Sequence, residues 1–208
     1  MKKIFSFLVL ISVLRNELFA QEIDSTAIKE PWEFNADLAA YFMTDDFFLV
    51  PVVSTNHGHL HLEARYNYED FQTGSVFGGY NFSVGNKLTL DATPLIGVSF
   101  GNTNAIIPGA EFEITCWNFG LYAETEYVFD LQTGSDSYFN YWGELYYAPA
   151  DWIWFGITTQ KIRVQETPLD LQRGIMLALQ KKWITITGYY FNPFSEDDFW
   201  ILNLGASF

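Results

Sequence analysis

From His59 to Glu69 polar and apolar residues alternate without a break. One register reads His59, His61, Glu63, Arg65, Asn67 and Glu69, the other Leu60, Leu62, Ala64, Tyr66 and Tyr68. A period of two marks a β-strand with one wet face and one apolar face. The same pattern recurs over 32–43, 47–56, 59–69, 74–84, 87–100, 105–116, 117–130, 138–148, 152–164, 170–180, 183–192 and 198–208. The chain therefore reads as all-β, with about twelve strands of roughly ten residues each. Beyond the first twenty residues no 3.6-residue period survives, so no helix is expected.

The connections fall into two sets. Those after even strands are tight, at 56–58, 85–87, 116–117, 149–151 and 180–182. Those after odd strands include longer, polar or acidic segments at 44–46, 130–137, 164–170 and 192–198. Short turns at one end and longer loops at the other are the habit of antiparallel up-and-down barrels that cross a membrane. An even strand count brings both chain ends to the short-turn side.

Composition decides which face points outward. Aromatic residues make up 19% of the chain, and only seven residues are lysine, two of them in the first three positions. A soluble barrel would turn its apolar face inward and coat the outside with mixed charge, including many lysines. Here the polar register carries acids, amides and hydroxyls. The apolar register carries large rings near the strand ends: Trp32, Phe42, Tyr66, Tyr68, Phe100, Phe129, Phe139, Tyr147, Trp200 and Phe208. Rings at both rims of an apolar band match the two interfacial girdles of a transmembrane barrel. Leu60, Leu62 and Ala64 are then expected to face lipid, and the His59–Glu69 register to face the lumen.

The N-terminus has the form of an export signal. Lys2 and Lys3 precede the apolar run Ile4–Leu14, and a small residue, Ala20, stands before Gln21. The run is too short for the roughly 20 residues of a spanning helix. The expected organisation is a cleaved signal at 1–20, a periplasmic lead-in at 21–31 and a barrel at 32–208. Residues 1–20 hold Lys2, Lys3, Arg15 and Glu17, so the remaining chain sets 8 basic against 24 acidic side chains. That balance excludes a nucleic-acid partner, which needs a basic stripe. Cys116 is the single cysteine, so no internal disulfide forms, and it reads as a small apolar strand residue.

The last segment, "DFWILNLGASF", alternates Trp200, Leu202, Leu204, Ala206 and Phe208 on one face and ends on Phe. It resembles the C-terminal strand of outer-membrane β-barrel proteins of Gram-negative bacteria. As architecture the resemblance covers residues 32–208; as a motif it covers this strand. It implies location in the cell outer membrane, contact with outer-membrane lipid and lipopolysaccharide, and insertion by the barrel-assembly machinery through that strand. Barrels of this size include nucleoside and oligosaccharide channels, a phospholipase and a lipid A deacylase, so function must be read from the site.

Projection along the strands lines the lumen with Glu33, Asp37, Glu63, Glu69, Asp91, Glu111, Glu113, Glu124, Glu126 and Glu144, joined by His59, His61, Arg65 and Asn67. Such a lumen attracts cations and implies passive passage of small cationic or neutral solutes. The alternative is a closed structural or adhesion-type barrel, in which the acids hydrogen-bond Tyr122, Tyr146, Tyr189 and their Asn and Thr neighbours around large side chains such as Trp142. Glu63 and Arg65 form either a wall-stiffening pair or a substrate clamp.

His59 and His61 share a face, and Glu111 or Glu113 would complete an N/O metal set. Strands three and six are not neighbours, however, so no metal is assigned, and no cofactor is implied. Ser54, His57 and Asp91 make a set that chance supplies, and no motif marks an enzyme; an outer-membrane lipid hydrolase is the most distant reading. Outside the barrel, Lys161, Arg163 and Arg173 continue the lipid-facing parity of strands nine and ten to one rim, a candidate site for lipopolysaccharide phosphate. A bulge near Thr158–Thr159 would instead turn Lys161 and Arg163 inward.

Overall fold

A computed structural model describes residues 30–44, 46–132, 137–161 and 171–208. The strands are β1 (Glu33–Phe42), β2 (Phe47–His57), β3 (Leu60–Tyr66), β4 (Thr73–Tyr80, continued as Phe82–Gly85), β5 (Leu88–Gly101) and β6 (Ala105–Cys116). They continue as β7 (Phe119–Asp130), β8 (Tyr138–Ala150), β9 (Ile153–Lys161), β10 (Gln172–Lys181), β11 (Ile184–Phe191) and β12 (Phe199–Ser207). Each pairs antiparallel with the next, and β12 returns to β1 from Phe42↔Trp200 to Asn35↔Ser207. The result is a closed twelve-stranded barrel. Where β1 begins and β12 ends, Phe34 and Phe208 exchange both backbone hydrogen bonds, at 2.8 and 2.9 Å. Closure leaves no sheet edge, which hydrocarbon would not tolerate.

Proline sets the irregularities. The ladder of β4 on β5 keeps one register across its break, Gly79↔Leu95 and Phe82↔Ala92, which places Pro94 opposite Tyr80. Pro94 has no N–H to give, and the ladder lapses there. Pairing of β6 with β7 likewise skips Pro108 and resumes in register at Gly109↔Glu126. The register of β8 on β9 shifts once, between Ile153 and Phe155, beside Pro149.

Exposure confirms the assignment of faces. Along β3, Leu60, Leu62 and Tyr66 are exposed, whereas His61 and Arg65 are buried. All the expected rim rings stand outside except Tyr68. The alternation from 59 to 69 is not one strand: β3 stops at Tyr66, and Asn67 turns the chain with φ 59°. Asn67 Nδ2 donates to the Leu49 carbonyl at 3.0 Å, and its Oδ1 accepts from the Gln72 N–H at 2.8 Å. After this turn the loop folds back over the lumen and carries Tyr68 and Glu69 inside.

Five two-residue turns close one end: Gly58–His59, Asn86–Lys87, Trp117–Asn118, Asp151–Trp152 and Lys182–Trp183. The sequence reading sets four of them one or two residues early, at 56–58, 116–117, 149–151 and 180–182, whereas the strands run on to His57, Cys116, Ala150 and Lys181. Three turns carry a tryptophan, and Trp117 is 86% exposed. Together with Trp32 these rings form an interfacial girdle at the turn end. Cys116 is a free thiol opposite Leu88 and Phe119.

The interior is not uniformly polar. Toward the loop end, Tyr41, Phe48, Val50, Met176, Phe191, Phe199 and Ile201 face inward and pack into one buried cluster. Phe77, Leu95, Ala105, Ile107, Val128 and Tyr138 form a second. The loop end is thus mixed, with these apolar clusters standing beside buried Glu69, Thr73, Ser99, Thr103 and Gln160.

Candidate functional site

Arg65, at the inner face of β3, organises the middle of the barrel. It is 4% exposed, and five carboxylates surround it. Its Nε donates to Glu63, and its Nη1 donates to Glu124 Oε1 at 2.7 Å and Glu126 Oε2 at 3.2 Å. Glu69 and Glu111 stand further off, at 3.7 and 4.0 Å. The guanidinium lies between the Tyr68 and Phe77 rings, 4.3 Å from each centroid. This is a site only a flat, forked cation fills well.

The strands explain the crowding. Glu111 and Glu124 stand directly opposite each other on β6 and β7, a like-charge pair that is unfavourable on its own. Arg65 reaches across from β3 to compensate it. Neutral donors hold other oxygens of these acids and of their neighbours. Tyr68 donates to Glu124 Oε2 at 2.8 Å, Asn140 to Glu126 Oε1 at 2.9 Å and Ser75 to Glu69 Oε2 at 2.7 Å. Glu144 accepts from Trp142 Nε1 and from the Tyr189 hydroxyl, both at 2.9 Å, and Glu113 from the Tyr146 hydroxyl at 2.6 Å. Between Arg65 and Glu144 lies a cavity of about 270 Å³ whose wall includes Asp37, Glu63, Glu111 and Asn203.

The lumen set from the sequence is therefore brought together at its centre and thins toward the rims. Asp37 accepts from Asn203 Nδ2 at 2.8 Å. Asp91 sits opposite Glu113 near the turn end, and Glu33 is exposed at the rim. Two expected lumen residues stand elsewhere. Asn67 makes the loop turn described above. His59 belongs to the Gly58–His59 turn, where its Nδ1 donates to the Asn81 carbonyl at 2.7 Å and its ring stacks on the exposed Tyr80 at 4.8 Å. His61 does point inward, and its ligand atom lies with those of Glu63 and Glu111 within 4.8 Å of one another. The sequence reading missed Tyr68 and Phe77, and with them the enclosure of Arg65. Phe77 shares the inward parity of Ser75, which was the available signal.

Among the described residues no hydrogen bond joins Ser54, His57 and Asp91; the His57 ring lies against Trp32 at 4.7 Å. On the outside, Arg173 is exposed and Lys161 half-buried, while Arg163 lies outside the described residues. The β9–β10 ladder runs without a shift from Ile153↔Leu179 to Gln160↔Gln172, so no bulge turns the end of β9 inward.

No protein-family profile matches the chain, and no curated protein matches its sequence. Solved structures do match its shape. The KdgM porin superposes with a TM-score of 0.63 over 84% of this chain and 99% of that one, at 12% identity. The fold is that of an outer-membrane β-barrel. The same porin matches equally well in complex with disordered oligogalacturonate. The outer membrane phospholipase A of Escherichia coli matches with a TM-score of 0.50 over 90% and 94% of the two chains, at 11% identity. At such identities the likeness describes architecture, and chemistry has to come from the side chains of this barrel.

Proposed function

We propose that the chain is an outer-membrane channel for passive passage of small solutes, with a preference for cations. The observation that carries this reading is the charge of the cavity: Asp37, Glu63, Glu111, Glu124 and Glu144 share its wall with the one guanidinium of Arg65. A low-dielectric wall of one sign raises the local concentration of counter-ions and repels like charge. The oligogalacturonate seen with the KdgM porin is a chain of sugar acids. Against this lumen it would meet carboxylates, so the fold likeness does not carry over that solute.

The experiment is a reversal potential across a planar bilayer in a salt gradient. K⁺ should pass in preference to Cl⁻, and Asp37→Asn with Glu144→Gln should weaken that preference. The difference should shrink near 1 M salt, where the Debye length is about 3 Å. Anion preference would remove the cation reading. A second reading, a closed structural barrel, is favoured by the packing of Tyr41, Phe48, Phe191 and Phe199 across the loop end; absence of any conductance would select it.

The same reading carries export by the N-terminal signal, assembly through β12 and a lipopolysaccharide contact at Lys161, Arg163 and Arg173. Lys161 and Arg173 support the last by position: they stand diagonally on one outer face, since Thr159 pairs Arg173 and Gln160 pairs Gln172.

A further inference from the structure

His61 is held in one tautomer by a chain of amides. The Thr93 hydroxyl donates to Asn81 Oδ1 at 2.9 Å, which leaves Asn81 Nδ2 to donate to Asn56 Oδ1 at 2.8 Å. Asn56 therefore presents an oxygen to His61, and the ring nitrogen 2.9 Å away, Nδ1, carries the hydrogen. The lone pair of the neutral ring is then on Nε2. That atom is buried without a hydrogen-bond partner, on a side chain only 7% exposed. It faces Glu63 Oε2 at 3.9 Å, and one ligand atom each of His61, Glu63 and Glu111 lie within 4.8 Å of one another. A lone pair aimed at two carboxylates is repulsive unless a positive charge stands between them.

We propose that His61 Nε2, Glu63 Oε2 and the Glu111 carboxylate bind one divalent first-row transition cation, of which Zn²⁺ is the type. One imidazole nitrogen with two carboxylate oxygens is a borderline N/O donor set of the kind that suits Zn²⁺. In a tetrahedral centre with bonds of about 2.0–2.2 Å, ligand atoms stand about 3.4 Å apart. The 3.9 Å between His61 and Glu63 thus needs to close by about half an ångström.

The second shell is in place. Asn56 orients the ring through Nδ1, and the other oxygen of Glu63 is fixed by Arg65. Glu63 and Glu111 also line the central cavity, so the remaining coordination positions open onto the lumen. Charge favours a dication as well. Five carboxylates surround the single guanidinium of Arg65. His59, named with His61 in the sequence reading, takes no part, because the turn places it outside.

The test is isothermal titration of the full refolded barrel in neutral detergent with ZnCl₂. One Zn²⁺ per chain is expected. His61→Gln should lower the affinity by at least about 10-fold, and Asn56→Leu by about 10–100-fold through the freed ring. His57→Ala with His59→Ala should leave it unchanged, which separates this site from the surface imidazoles. No binding to the wild type, binding by His61→Gln equal to the wild type, or loss in the double variant each overturns the proposal. X-ray absorption of the Zn²⁺-loaded wild type decides the matter even if a variant fails to fold: one imidazole and oxygen donors are expected, and a shell without imidazole overturns it. Equilibrium binding needs no current, so the result is independent of the channel reading.

Discussion

At the scale of the residue, the barrel turns on one guanidinium. Arg65 offers forked donors to Glu63, Glu124 and Glu126 while its plane is clasped by Tyr68 and Phe77. Removing one partner of a buried ion network leaves the others uncompensated, at a cost of about 3–5 kcal/mol. Arg65→Met should therefore lower stability in urea refolding into lipid vesicles by about that amount. Arg65→Lys should recover only part of it, because an ammonium neither forks between two carboxylates nor stacks flat between rings. A lysine variant as stable as the wild type would mean that charge alone matters here. Much of this centre was legible beforehand, since Glu63, Arg65, Glu124 and Glu126 all fell in the polar register. Tyr68 was not, because strand parity stops being informative where Asn67 takes a positive φ.

The element scale is where alternation works, and where it fails it does so for a reason. Along β12, Leu202 and Leu204 are exposed, while Asn203 turns inward to Asp37. Leu204→Arg should cost about 2–4 kcal/mol, as expected for a cation on the lipid face near the midplane. Asn203→Arg, one residue away, should cost much less, because the new side chain enters an acidic lumen. Refolding the two variants into vesicles compares them directly, and equal losses would reverse the assignment of inside and outside. The apolar cluster at the loop end escaped the same logic. Tyr41-Phe42, Phe47-Phe48-Leu49-Val50 and Phe199-Trp200-Ile201-Leu202 are apolar in both registers. A strand buried on both faces reads as a continuous apolar run, and here one face meets lipid while the other meets the packed interior.

At the scale of the whole molecule the two ends differ, and the difference orients the barrel. Two-residue turns edged with Trp117, Trp152 and Trp183 close one end, while the longer connections leave from the other. In barrels of this class the short turns face the periplasm, and the proposed lipopolysaccharide contact takes that orientation, with Lys161 and Arg173 at the outer rim beside the long connection from β9 to β10. An outer leaflet dense in phosphate is a fitting counter-charge, and an arginine grips phosphate through two hydrogen bonds where a lysine offers a point charge. Contacts sheltered among lipid headgroups should exceed the value of a solvated pair, which is under about 1 kcal/mol. Replacing Lys161, Arg163 and Arg173 together with Gln is therefore expected to lower the thermal unfolding temperature in vesicles containing lipopolysaccharide and to leave it unchanged in neutral detergent. Melting curves in the two media supply the comparison. An equal loss in both would place these side chains in the wall of the barrel, and the lipid contact would have no basis.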